Sequence, residues 1–338
     1  MPDKMKAWQF TSAAGGLEKN LFLPASGANK PHINHSQILV EVYAAALNPV
    51  DHKIPELGLL AKAMIPSPSI PGMDFCGKVV EAGEKVSSSF KPGQMVFGTT
   101  IGLSGHGTLA QYVAVGKENL VELPEKYDVK DAAAAGVTGI TAVQALKPNV
   151  KPGDKVFVNG GSGGTGIYTI QIAKALGCHV TAACSTANVD LCKSLGADEV
   201  LDYKERDIIE QLKEKGQIYS LVVDNIGSPS NLFVASDKFI VPHGKFVQVG
   251  MPVSLGAAGQ LARNTLLPGF LGGGRRKYQI LSSKARADDL EQLAVFMKEG
   301  KLRAVIDEVF EFEDVPRAFE KLKTGRAKGK IVVNVKKE

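Results

Sequence analysis

Hydrophobic positions change their period part-way along the chain. From about Gln37 to Glu122, short apolar runs (ILVEVYAAAL, FCGKVVEAG, GQMVFGTT, LAQYVAV) are separated by Gly and Pro, the spacing of a compact β-rich unit. From DAAAAGVTGITAVQAL onward, helical periodicity alternates with apolar strands: KVFVNG, HVTAACS, EVLDY, LVVDNIG, KFVQVG and YQILSS. The segments between them, IYTIQIAKALG, VDLCKSLGA, RDIIEQLKEKG and FVASDKFIVPHG, have crossover length. This part therefore reads as a doubly wound parallel sheet. The tail from Asp289 to Val335 returns to helix, strand, helix, strand, and is expected to close onto the first unit. The fold class is α/β, with boundaries near 1–125, 126–270 and 271–338. The longest linker candidate, LPASGANKPHINHSQ, reads as a surface loop.

Length and composition narrow the class. With 338 residues and 44% hydrophobic positions, two ordinary domains have ample material for their cores. The net charge, 40 basic minus 35 acidic residues or +5, is small. It concentrates only at Arg275, Arg276 and Lys277 and at Lys336 and Lys337, so no nucleic-acid partner is expected. The N-terminal MPDKMKAWQF has neither a signal-peptide core nor transit-peptide character, and no window holds about 18 to 20 uninterrupted apolar residues. A cytoplasmic protein without a transmembrane segment is the expectation. Cys76, Cys178, Cys184 and Cys192 lack CxxC spacing and clustered histidines, which argues for a reducing compartment and against structural zinc.

The candidate chemistry begins at NGGSGGTG. Gly161, Ser162, Gly163, Gly164, Thr165 and Gly166 fit GxGxxG after a predicted strand and before a predicted helix, the context that a dinucleotide fingerprint requires. Gly161 is expected to permit the tight turn, Gly163 the approach of a pyrophosphate, and Gly166 close helix–strand packing. The helix start offers N–H groups and partial positive charge to the phosphates. An NAD-selecting carboxylate belongs about 20 residues on, where this chain has VTAACSTAN. Ser185, Thr186 and Asn188 leave room for a 2′-phosphate, and Tyr203 and Lys204 can bring a ring and a cation to it. NADPH rather than NADH follows, with a solvated Lys204 as the alternative.

These segments together resemble the zinc-free quinone oxidoreductase group of the medium-chain dehydrogenase/reductase superfamily, most closely its plant and fungal enone and quinone reductases. The likeness runs nearly end to end through LNPVDHK, IPGMDFCGKVVEAGEKV, FKPGQMVFG, AAAAGVTGITAVQAL, GSGGTG, KSLGADEVLDYKERD and GKIVVNV. It implies a GroES-like substrate domain built from both chain ends, with a Rossmann domain between them. In zinc-dependent members a Cys stands at Asn48 and Gly-His-Glu stands at Gly72-Met73-Asp74. The four-cysteine loop of such members is also missing after Gly98, so no metal is expected.

Conjugate reduction of an enone, or reduction of a quinone, then suits the chain better than alcohol oxidation, which leans on a Lewis acid. The resemblance puts LNPVDHK over the nicotinamide. It makes Asn48 a polar contact, Lys53 a group that polarises a carbonyl, and Asp51 the residue that orients the loop. A turn cap at Asn48 and a surface pair of Asp51 with Lys53 are the plain alternatives. Thr138 matches a position beside the nicotinamide or caps its helix, and Gly250 ends a strand at the carboxamide. Asn225 and Gly227 end another strand at the cofactor face or serve a turn. GFLGGGRRKYQ reads as a mobile or simply solvated basic loop, and His106 in LSGHGT as structural or exposed. The partner is a small enone or quinone, and a homodimer is the family expectation. An enoyl-thioester reductase and a catalytically inactive NADPH-binding protein remain alternatives.

Overall fold

The computed structural model describes residues 3–101 and 105–336, with the side chain of Leu255 excluded; Leu103, Ser104 and Lys337 thus lie outside the described residues. The chain forms two compact units, one from residues 1–140 and 284–338 and the other from residues 141–283. The expected boundaries near 125 and 270 precede these divisions. On the N-terminal side, the helix Val129–Ala133, capped by the Asp128 carboxylate on the N–H groups of Lys130 and Asp131, packs on strands of the first unit.

In the first unit, the two-residue strands β1 (Lys4–Met5) and β2 (Ala28–Asn29) pair antiparallel. Part of the predicted surface loop is thus ordered against the N-terminus. The main strands are β3 (Gln37–Leu47), β4 (Asp74–Ala82), β5 (Met95–Thr99), β6 (Tyr112–Gly116) and β7 (Leu120–Glu122). Long β3 is buried along most of its length and pairs with β4 and β6, both antiparallel. The chain's return adds β14 (Ile306–Glu311) and β15 (Lys330–Asn334), giving a seven-stranded sheet in the order β14-β15-β3-β4-β5-β7 with β6 on β3. The Trp8 indole donates to the Phe312 carbonyl at 2.7 Å, tying the two chain ends over one apolar core.

The second unit holds β8 (Lys155–Asn159), β9 (His179–Cys184), β10 (Glu199–Asp202), β11 (Tyr219–Asp224), β12 (Ile240–Gln248) and β13 (Lys277–Ile280). All pairs are parallel, in the order β10-β9-β8-β11-β12-β13. That is the doubly wound order of a dinucleotide fold, with the strand order reversing at β8. Two local expectations change. IVPHG belongs to β12 rather than to a crossover helix, because a register shift between Tyr219 and Leu221 lets β12 run longer beside β11. The helix Leu255–Leu266, which no predicted segment covers, starts where the Ser254 hydroxyl accepts the Ala257 N–H. Thr141 and Ser283, at the two chain crossings, join through their hydroxyls at 2.6 Å.

Candidate active site

In the second unit, the glycine turn follows β8. Gly160, not Gly161, takes the left-handed conformation, with φ +79°, so it makes the tight turn. Gly161 is required for a different reason: a Cβ there would lie 3.0 Å from Ala182 Cβ and 3.1 Å from Cys192 Sγ. Gly166 allows the close approach expected of it, since a Cβ would sit 2.0 Å from the Gly160 carbonyl oxygen. At Gly163 a Cβ would meet nothing nearer than 3.7 Å. The chain's own packing therefore does not demand glycine at Gly163. It is the N-cap of the helix Gly164–Ala175 and offers no side-chain cap. An open cradle before uncapped N–H groups at Gly164, Thr165 and Gly166 fits a pyrophosphate.

A clean separation follows between two neighbouring glycines. Gly163→Ala is expected to keep the melting temperature while weakening dinucleotide binding about tenfold or more, by crowding the phosphates. Gly166→Ala is expected to destabilise the second unit itself. Fluorescence titration with NADPH beside a melting curve checks both.

The tips of the strands complete this face. Asn188 Nδ2 donates to the hydroxyls of Ser162 (3.1 Å) and Ser185 (3.2 Å), and Thr186 opens the short turn that ends in Asn188. Tyr203 is exposed and Lys204 Nζ lies 5.7 Å from its ring centre. Asp202 registers opposite Cys184, and its Oδ1 accepts the Lys204 N–H. Asn225 donates to the Asn159 carbonyl, and a Cβ at Gly250 would strike the Asn225 carbonyl oxygen at 2.1 Å.

Periodicity does not single out Asp224, which organises this turn. Its Oδ1 accepts the N–H groups of Ile226 (3.0 Å) and Gly227 (2.9 Å) and the Asn159 amide (2.9 Å). Burial pushes its carboxyl up, offset in part by the Gly227 N–H. A carboxylate at the end of an apolar strand was its one signal. Arg276 in the basic loop donates to the carbonyls of Ile240 and Asp237, so its guanidinium holds the unit's own backbone.

In the first unit, LNPVDHK forms the end of β3 and the helix Pro49–Lys53. Asn48 N–H donates to Asp51 Oδ2 at 2.7 Å and Asp51 N–H returns to the Asn48 carbonyl at 2.9 Å, a reciprocal cap. The Asn48 side chain is occupied at both ends. Its Oδ1 accepts from Lys330 Nζ at 2.6 Å, and its Nδ2 donates to Asp74 Oδ2 at 2.8 Å. Lys330 also reaches Asp74 Oδ2 at 3.0 Å, while Asp74 Oδ1 takes the Val137 N–H at 2.6 Å. Gly136 makes room, since a Cβ there would lie 2.2 Å from Asp74 Oδ1. Lys330, Asp74 and Asn48 are 2%, 0% and 2% exposed, so this is a fully buried ion pair bridged by an amide.

Asp51 is also buried, and its Oδ1 has no hydrogen-bond partner among the described residues. Burial pushes its carboxyl up to about 7; the Asn48 N–H opposes this, the nearby Asp74 charge adds to it and Lys330 offsets it. Asp51 lines a cavity of about 50 Å³ together with Ser69, Met73 and His106. Lys53 is half-buried, and burial pushes its ammonium below the usual range. Thr138 lies inside the helix Gly136–Leu146, its hydroxyl on the Ala134 carbonyl at 3.1 Å, and so does not cap that helix.

Zinc does not fit this donor set. An amide already held by an ammonium, a thioether at Met73 and a carboxylate paired with Lys330 supply no thiolate or imidazole. Among the described residues no group of three or more His, Cys, Asp or Glu could hold a metal ion.

Comparison with known proteins agrees with both units. Residues 34–125 match the family described as Alcohol dehydrogenase GroES-like domain, and residues 195–333 the family described as Zinc-binding dehydrogenase. The chain is 46% identical over 349 residues to a trans-enoyl reductase of Aspergillus terreus, covering 99% of this chain and 97% of that protein. It belongs to the medium-chain dehydrogenase/reductase superfamily. An Arabidopsis thaliana chloroplastic NADPH-dependent alkenal/one oxidoreductase is 32% identical, over 98% of this chain and 80% of that one. The quinone oxidoreductase structure from Coxiella burnetii superposes with a TM-score of 0.83 at 30% identity, covering 98% and 100% of the two chains. As a member of this superfamily the chain is an oxidoreductase that uses a nicotinamide cofactor, with a GroES-like domain and a Rossmann-like domain. Among the described residues no helix is long and apolar enough to cross a membrane.

Proposed function

We propose that the protein is an NADPH-dependent, zinc-independent reductase of α,β-unsaturated carbonyls, with quinones as a second class of acceptor. The observation that carries this reading is the network at Asn48. Where zinc-dependent relatives place metal ligands, this chain has a buried Lys330–Asn48–Asp74 group that leaves no Lewis-acid site. Conjugate reduction needs none, because charge spreads over the enone and a few donors suffice in a dry cleft. Asn48 is then a positioning residue, held by Lys330 and Asp74.

Gly161, Ser162, Gly163 and the helix start would hold the pyrophosphate of NADPH. Ser185, Asn188, Tyr203 and Lys204 would surround the adenosine end, and Asn225 and Gly250 the nicotinamide end. When bound, that cofactor supplies the hydride. The half-buried Lys53, its ammonium less firmly protonated than in water, polarises the substrate carbonyl. Asp51 keeps a proton up to about pH 7 and holds it in the cavity. The four cysteines, all unpaired, support a cytoplasmic location, and a homodimer is the expected assembly.

The 46% identity to a trans-enoyl reductase favours one second reading, reduction of an enoyl thioester. Purified protein given NADPH or NADH with a small enone, a quinone and an enoyl thioester, with and without chelator, decides among these. NADPH-preferring turnover of enone that ignores chelator is the expected result. Thioester turnover alone would favour the second reading. Activity lost to chelator and restored by zinc would overturn the metal-free mechanism.

A further inference from the structure

Beneath the glycine cradle, the second unit buries two cysteines against each other. Cys184 is the last residue of β9, and Cys192 belongs to the helix Val189–Ser194, which packs on β9 and β10. Side chains two apart on a strand share a face, so Cys184 points to the same side of the sheet as Ala182. On that side Ala182 Cβ and Cys192 Sγ both border the position that a Cβ on Gly161 would take, at 3.0 and 3.1 Å. The two thiols are hydrogen-bonded to each other and fully buried. That bond holds the Cys184 thiol below its ordinary range, against burial and the Asp202 charge, and pushes Cys192 up. Cys184 is thus the readier thiolate, with a second thiol in reach to resolve whatever forms on it. Burial pushes the thiols of Cys76 and Cys178 up, and these two stay inert.

The pair is linked to the cofactor face. The helix that carries Cys192 begins at Asn188, whose amide donates to the hydroxyl of Ser162 in the cradle (3.1 Å) and to that of Ser185 (3.2 Å). Ala183, next to Cys184, accepts the Gly161 N–H at 2.9 Å. Drawing the two sulfurs from contact to bonding distance moves this helix against β9, and in close packing Asn188 and the Gly161 turn move with it. Just beyond Cys184, Ser185 is half-buried and Thr186 and Ala187 are exposed, so local opening of this short turn admits a small oxidant.

We propose that Cys184 and Cys192 are a redox modification site, which a peroxide converts to a disulfide that lowers the affinity of the cradle for its dinucleotide. The Cys184 sulfur attacks one peroxide oxygen, the O–O bond breaks, one water leaves and a sulfenic acid remains. The Cys192 sulfur then attacks the Cys184 sulfur, the S–O bond breaks and a second water leaves. Two thiols lose two electrons and two protons, and one hydrogen peroxide becomes two waters. In a reducing compartment such a bridge is transient. The effect on affinity rests on the reading of this cradle as the NADPH site; the bridge itself does not.

The full chain, free of cofactor, is treated with hydrogen peroxide, the excess is removed with catalase, and NADPH binding is followed by fluorescence. Peptides cut without reductant locate the bridge by mass. The bridge is expected to form and to weaken NADPH binding about tenfold, within the usual range of coupling between sites, and dithiothreitol is expected to restore it. Linkage is reciprocal, so in a glutathione redox buffer NADPH is expected to disfavour the bridge by the same factor. Cys192→Ala and, as a second variant should the first not fold, Cys184→Ala are expected to bind NADPH alike before and after peroxide.

Absence of a bridge between Cys184 and Cys192, or an equal loss of affinity in a variant that cannot form one, would overturn the proposal. So would a bridged protein that binds NADPH within about twofold of the reduced one, below the range of such couplings. A reduced parent that binds no NADPH yet forms the bridge would keep the modification site and fail the cofactor reading.

Discussion

Lys330→Met is expected to lower the stability of the first unit by about 3–5 kcal/mol, the usual cost of leaving one partner of a buried ion pair uncompensated. The variant keeps most of the side-chain volume and removes the ammonium. Asp74, 0% exposed, would then keep only the Asn48 amide and the Val137 N–H. The Asn48 Oδ1 would lose its donor as well. The chain's single tryptophan makes the measurement specific, since Trp8 is buried in this unit and bonded to Phe312. Denaturant titration followed by its fluorescence therefore reports the first unit without the second. Lys330→Met with Asp74→Asn is expected to recover more than half of the loss, because the neutral amide no longer needs a counter-charge. A single variant within about 1 kcal/mol of the parent, below the buried-pair range, would show that the pair does not hold this region.

Asp51→Asn is expected to change how stability depends on pH. In the folded protein the carboxyl is raised from its ordinary 3.8 to about 7, so the unfolded chain releases the proton first. The parent's contribution from Asp51 is fully present below about pH 4 and is lost as pH rises toward 7, then stays level. The asparagine has no such loss, and its Oδ1 can still accept the Asn48 N–H. The stability of the variant relative to the parent is thus expected to improve by roughly 2–4 kcal/mol between about pH 4 and pH 8. Any fixed cost of placing an amide at the cavity shifts both ends equally and leaves this difference intact. Parallel pH titrations of the Trp8-monitored transition would give the curve; a difference that stays constant with pH would show that Asp51 is ionised in the folded state like an exposed carboxylate.

What was legible in the sequence was legible because its causes are local. The alternation of apolar strands with helical segments is set by side-chain period within about a dozen residues, so five of the six parallel strands stand close to where KVFVNG, HVTAACS, EVLDY, LVVDNIG and YQILSS predict them. Where neighbours across the sheet decide, the pattern fails. IVPHG became strand because β11 offered it a partner after a register shift. The helix Leu255–Leu266 lies outside the predicted segments although Ala257, Ala258 and Leu261 recur in it at helical spacing, and the turn at the fingerprint moved by one residue to Gly160 because backbone conformation, not motif position, selects the glycine that must turn.

The sequence by itself determined a nucleotide fold inserted into a β-rich one and a GxGxxG run between a strand and a helix, which follow from residue type and spacing. That Asn48 and Met73 stand where zinc-dependent members carry ligands is what the family resemblance implies. Only the tertiary structure decided what stands at Asn48 instead. Lys330 lies 282 positions away in sequence, in GKIVVNV, where it reads as the polar edge of an apolar strand. The return of the chain pairs β15 with β3, with Ile331 opposite Leu47, and thereby carries the neighbouring ammonium to Asn48 and Asp74. Burial there turns an ordinary lysine and aspartate into an obligatory pair, and leaves Asp51 with an oxygen that no described residue satisfies. Such properties belong to the low-dielectric interior that packing creates, and no stretch of sequence contains that interior.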